Sequence, residues 1–161
     1  MKKPLWEMYI ITDIAVTITV IATVVSMIVS TFNDSRKTIE TASATAEVLG
    51  IYRVPVSAYY ALHGEWPKAI EELAKMFPER SQKPPMSLAE NIQLADAAIT
   101  FAFRGVAANQ TLTIHPAVPA QDPFGPVKWV AGAKSLSDDW TMIGNDRTTV
   151  ESKYMLRIIK Q

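Results

Sequence analysis

The sequence predicts an α+β protein: a long N-terminal helix, membrane-spanning in its first half and amphipathic in its second, packed on a small antiparallel β-sheet. Three observations carry this. Nineteen uncharged residues run from Ile14 to Phe32. Residues 38 to 62 repeat apolar side chains at helical spacing, and short β-patterned runs separated by turn residues fill the C-terminal half.

The apolar run is close to the roughly 20 residues that cross a hydrocarbon core as helix. It contains no Gly or Pro and is rich in β-branched Val, Ile and Thr. In water that composition favours strand, but in lipid the backbone must satisfy itself internally, which selects helix. Lys2 and Lys3 precede the run and Arg36 and Lys37 follow it, so flanking charge barely orients the span. The short N-terminal tail ahead of a long domain predicts the tail in the cytoplasm and the domain translocated. Ala42-Ser43-Ala44 has the form of a signal-peptidase site, but it lies ten residues beyond an apolar run too long for a signal sequence. The reading is therefore an anchor. Asp13 is the single charge within Met8–Phe32. Two readings of it stand: the carboxylate reaches back to the headgroups, or it pairs with a cation on a neighbouring chain.

Past the membrane, Ile39, Ala42, Ala46, Leu49 and Val56 define the expected buried face of a helix from Thr38 to Leu62. Pro55 lacks the N–H that would bond to Ile51 and should kink it. A rod from residue 9 to 62 would be roughly 80 Å long. Gly64 ends it, and Pro67 opens a short helix over Lys68–Phe77. Pro78 to Pro85 reads as a connector. Strands are expected at Ala98–Phe103, Thr111–Ile114 and Pro126–Val130, with a weaker one at Trp140–Ile143. The first two form a hairpin around residues 105–110, and the sequon Asn109-Gln110-Thr111 is read as part of that turn. The apolar tail from Tyr154 to Ile159 is expected to pack back on the domain.

Composition narrows the chemistry. Lys+Arg and Asp+Glu balance at 16 each, which gives no field toward nucleic acid or anionic lipid. There are no cysteines, so disulfides, thiolate metal sites and cysteine nucleophiles are excluded. The two histidines, His63 and His115, are too few for a histidine-rich metal site within one chain. Asp138-Asp139 and Asp146 lack the alternating ligand spacing of a calcium loop. No nucleophile–base pair is legible, so no enzyme and no cofactor are expected. Tyr59, Tyr60 and Trp66 are read as core aromatics at the helix–sheet junction rather than a stacking platform, as are Phe101, Phe103, Trp129 and Trp140.

The order of these features resembles a type IV pilin. Tyr59-Tyr60-Ala61-Leu62-His63-Gly64-Glu65-Trp66-Pro67 looks like the family's Tyr-Tyr, Gly-x-Trp-Pro signature at the end of the long helix. Met1-Lys2-Lys3 is similar to a short basic prepilin leader. With Tyr9 as the first mature residue, Asp13 falls at the fifth, where the family carries a glutamate that neutralises a neighbouring subunit's N-terminal amine. Phe32 and Asp34 then fall on a commonly aromatic and a commonly polar position. Leu112–Pro116, Gly125–Trp129 and Thr148–Leu156 resemble the strands and closing segment around the family's C-terminal loop. Three departures stand out: Met8 replaces the small residue, nearly always Gly, before the processing site; the loop-closing cysteines are missing, with Ala131 and Ile158 or Ile159 near their places; and the membrane segment has no helix-softening Gly or Pro.

The resemblance implies a leader-like cytoplasmic tail (1–8), a transmembrane helix (9–32) and a periplasmic or extracellular pilin-like domain (33–161). It implies a bacterial inner-membrane protein, a major or minor subunit that pairs with other pilins through the N-terminal helix and meets the inner-membrane assembly platform. If assembled, it would be extracellular. The competing expectations are an unprocessed inner-membrane accessory protein, and, less well matched in the C-terminal half, a pseudopilin of type II secretion.

Overall fold

A computed structural model describes residues 5–78, 86–132 and 137–155, with side chains from Ala15 onward except that of Val106. The architecture is α+β: a long N-terminal helix and a small antiparallel sheet against which it packs. The chain divides into two units, residues 1–36 and 37–161. The described residues of the first are helix and contain a candidate membrane span.

Helix α1 covers Leu5–His63, 59 residues, and Pro55 lies inside it without ending it. Gly64 ends it at φ +70, where its N–H bonds to the Tyr60 carbonyl at 2.9 Å. Within the second unit, α1 buries Thr41, Ala44, Thr45, Val48, Tyr52, Val56 and Tyr60. This corrects the expected face. Ile39 is 65% exposed and Ala46 is also outward, whereas two threonines point inward. Thr45 returns its hydroxyl to the Thr41 carbonyl at 2.7 Å, so this buried polar group is satisfied within the helix. The Ala42–Ala44 site considered for cleavage lies inside this helix, with Ala44 fully buried.

Helix α2 is Ile70–Met76, shorter than the expected 68–77. Ala69 is extended and bridges Ala95, while the Glu72 carboxylate accepts the Lys68 N–H at 2.7 Å. The expected connector to Pro85 lies outside the described residues from 79 on. Five strands follow: β1 Ala89–Ala95, β2 Ala98–Phe103, β3 Thr111–Pro119, β4 Lys128–Ala131 and β5 Trp140–Met142. All pairings are antiparallel, in the order β1-β2-β3-β4, with β5 also on β3. β2 has its expected bounds, and β4 begins two residues later than expected because Pro126 has no donor for the ladder. β3 runs on through Pro116 and Pro119 by changing partners, from β2 at 111–114 to β4 at 114–117 and β5 at 117–119.

The core lies between α1 and the inner face of the sheet, where Ile99, Phe101, Phe103, Leu112, Ile114 and Trp129 meet Val48, Tyr52 and Val56. Phe101 and Phe103 pack edge to face at 5.1 Å. Trp140, expected in the core, is half-buried and instead carries Lys128 Nζ 3.8 Å over its ring. At the C-terminal end Tyr154 is buried, and residues 156–161 of the expected packed tail lie outside the described residues.

Candidate membrane and assembly helix

Met8, Tyr9 and Asp13, the residues singled out for processing and pairing, all lie within α1, and their side chains are outside the described residues. Val16, Ile18, Val20, Ile21, Val24, Val25, Met27, Ile28, Val29 and Phe32 are all outward, each at least 49% exposed. By length and composition this stretch is a candidate membrane span. Four hydroxyls of this segment are satisfied within the helix. Thr19 donates to Ala15, Thr23 to Thr19, Thr31 to Met27 and Ser35 to Thr31, each reaching the carbonyl four residues back at 2.8–2.9 Å. A hydroxyl that bonds inside its own helix does not need water. Ala15, Thr19, Ala22, Ser26 and Ser30 recur at three- and four-residue spacing on one exposed face, the size pattern that lets membrane helices approach closely.

The aromatic signature forms the corner where α1 ends. Tyr60 is buried and stacks on Trp66 at 3.9 Å with the rings 6° from parallel; its hydroxyl donates to the Pro123 carbonyl at 2.6 Å. Pro67 is buried, and its carbonyl accepts the Ala97 N–H at 2.8 Å. Gly64 supplies the left-handed turn between Tyr60 and Trp66. Tyr60, Gly64, Trp66 and Pro67 thus lock the helix end to the β3–β4 loop and the β1–β2 turn. Tyr59 points elsewhere, half-buried against the His63 ring at 4.2 Å. Burial raises its phenol pKa, helped by the Glu72 and Glu65 carboxylates. His63 is exposed at the helix end, with Nδ1 3.0 Å from the Tyr59 carbonyl.

Two further clusters were not singled out from sequence. Glu47 on α1 accepts the Ser87 and Leu88 N–H groups at 2.9 and 3.2 Å, tying the entry to β1 onto the helix. On the outer face of the sheet, residues 143–150 form a strap over β3. Its Arg147, Thr148 and Thr149 exchange backbone and hydroxyl bonds with Thr111 and Thr113, and the fully buried His115 lies beneath it. Neither cluster has a sequence signature, since each joins residues more than 25 positions apart. Among the described residues no three His, Asp or Glu side chains converge to hold a metal ion.

No protein-family model and no curated protein matches this chain.

Proposed function

We propose that this chain is a type IV pilin-like structural subunit. Its apolar helix sits in a bacterial inner membrane with residues 1–8 cytoplasmic, its domain is periplasmic, and the helix pairs with other pilin-type helices to build a filament. The supporting observation is the division of labour along α1. One half exposes an unbroken apolar surface with a small-residue face, and the other buries a stripe against an antiparallel sheet. That helix ends in the Tyr60–Trp66–Pro67 corner on which the family resemblance turns.

Met8 favours a second reading. Prepilin processing uses a small residue, nearly always Gly, at that position, and without cleavage no amine forms at Tyr9 to neutralise Asp13. The unprocessed chain would remain an accessory protein in the inner membrane, pairing with true pilins through the same helix. Intact-mass measurement on protein extracted from membranes and from sheared filaments separates the two. Loss of residues 1–8 together with recovery in the sheared fraction is the expected result for a subunit. A full-length species confined to membranes would replace the filament reading with the resident-anchor one.

A further inference from the structure

His115 is fully buried on β3, and its two ring nitrogens meet very different partners. Nδ1 lies 3.0 Å from the Ile143 carbonyl, which only accepts, so Nδ1 carries a proton. The backbone explains why this carbonyl is available. Ala117 pairs with Met142 on β5, so the next rung pairs Pro116 with Ile143, and the Ile143 N–H does bond to the Pro116 carbonyl at 3.0 Å. Pro116 has no N–H to return, and the His115 ring fills that gap in the ladder. With Nδ1 protonated, the neutral ring turns a bare lone pair at Nε2 toward Asp146 Oδ1, 3.6 Å away, and Nε2 has no hydrogen-bond partner among the described residues. A lone pair facing a carboxylate is repulsive; an Nε2–H in the same place is a charge-assisted donor.

Asp146 does not supply that proton itself. Burial pushes its carboxyl up, but hydrogen bonds from the Thr148 hydroxyl and N–H, and the neighbouring His115, outweigh this and leave it below the usual carboxylate range. Thr148 in turn accepts the Thr113 N–H on β3. Other charged groups on the packed elements are engaged or solvated: Lys128 of β4 lies over Trp140, Arg147 is exposed and β2 carries none.

We propose that the strap 143–150 is a proton-operated clamp: a second proton on His115 converts the Nε2–Asp146 contact into an ion pair that holds the strap on β3, and loss of that proton loosens it. The strap is tighter when His115 carries two protons than when it carries one. It does not depend on how the helix functions, because every group involved lies in the C-terminal half.

The test is amide hydrogen exchange on the full chain in detergent, corrected for intrinsic rates, at about pH 5 and about pH 8. Protection at Ile143, Arg147, Thr148 and Thr149 should fall about tenfold at the higher pH, the change carried by one pKa unit of coupling. Amides of β2 should change far less, and Asp146→Asn should remove the strap's pH dependence. Protection that is flat with pH, or a decline that persists in Asp146→Asn, would overturn the clamp. If that variant fails to fold, ¹⁵N shifts of His115 in the unaltered protein decide. A ring doubly protonated at the lower pH with the strap closed supports the clamp, and a ring singly protonated throughout overturns it.

Discussion

Gly50 and Gly144 have opposite relations to their surroundings. Gly144 sits at φ +84, and a Cβ there would lie 2.6 Å from the Ala98 Cβ and 2.8 Å from the Asp96 carbonyl. Gly144→Ala therefore meets both backbone strain and collision, and should destabilise the domain by about 2–4 kcal/mol, read by urea unfolding in detergent. Gly50 is helical and nothing lies within 4 Å of its missing Cβ. A glycine in mid-helix costs about 0.5–1 kcal/mol relative to alanine. Gly50→Ala should accordingly stabilise the isolated chain by that amount. Thr148 shows a different residue-scale effect. Its hydroxyl and N–H hold Asp146 in the charged form, and the carboxyl lies below its ordinary range. A depressed carboxyl stabilises the fold above the ordinary aspartate pKa of about 3.9, and the contribution is lost as pH falls through the native value. Thr148→Val should raise the pH of acid unfolding and cost about 1–3 kcal/mol at neutral pH, because the Thr113 N–H also loses its acceptor.

At the scale of elements, what the sequence disclosed depended on whether a signal was local. The long helix, its stop at Gly64 and strand β2 are written in periodicity and punctuation, and so were legible. Strand β1 was not. Its alternation is broken by an irregularity between Glu90 and Gln93 with Asn91 at φ 52, and its turn is Asp96-Ala97 rather than Asp-Gly. Both turn residues have positive φ, 48 and 64, as a two-residue hairpin requires, yet alanine stands where glycine would announce it. Ala97 is fully buried, so its methyl gains about 0.8 kcal/mol against a left-handed penalty of about 1 kcal/mol. The two nearly cancel, and Ala97→Gly should change stability by less than about 0.5 kcal/mol in the same unfolding assay. The buried face of α1 was misjudged for a related reason. Hydrophobicity ranks Ile39 above Thr41, but apolar spacing marks a helix face without saying which neighbouring face the domain covers, and Thr41, Ala44 and Thr45 are inside while Ile39 is out. At the candidate site the aromatic corner was visible as a spacing. The strap over His115 was not, because its bonds join β3 to residues about thirty positions later.

For the whole molecule, the question is what covers the surfaces that α1 leaves open. Beyond the apolar first unit, Ile39, Ser43, Ala46, Gly50, Val54 and Ala61 form an outward row within the second unit, with Ile39 at 65% and Val54 at 57% exposure. In a monomer such a row is a burden; in a filament of the proposed kind, neighbouring helices would cover it. This gives Gly50→Ala a second, opposing readout: a more stable chain that enters filaments less well, measured by sheared-filament yield. Asp13 separates the proposals more sharply. A carboxylate within an apolar helix costs roughly 2.5–3.5 kcal/mol at mid-membrane, less near the interface, and a processed N-terminus would offset this with its amine. If the carboxylate serves assembly as proposed, Asp13→Ala should leave membrane insertion intact or improved while abolishing incorporation into filaments. Filaments that form normally with alanine at this position would remove the assembly role from Asp13, leaving it as a residue held at the headgroup boundary.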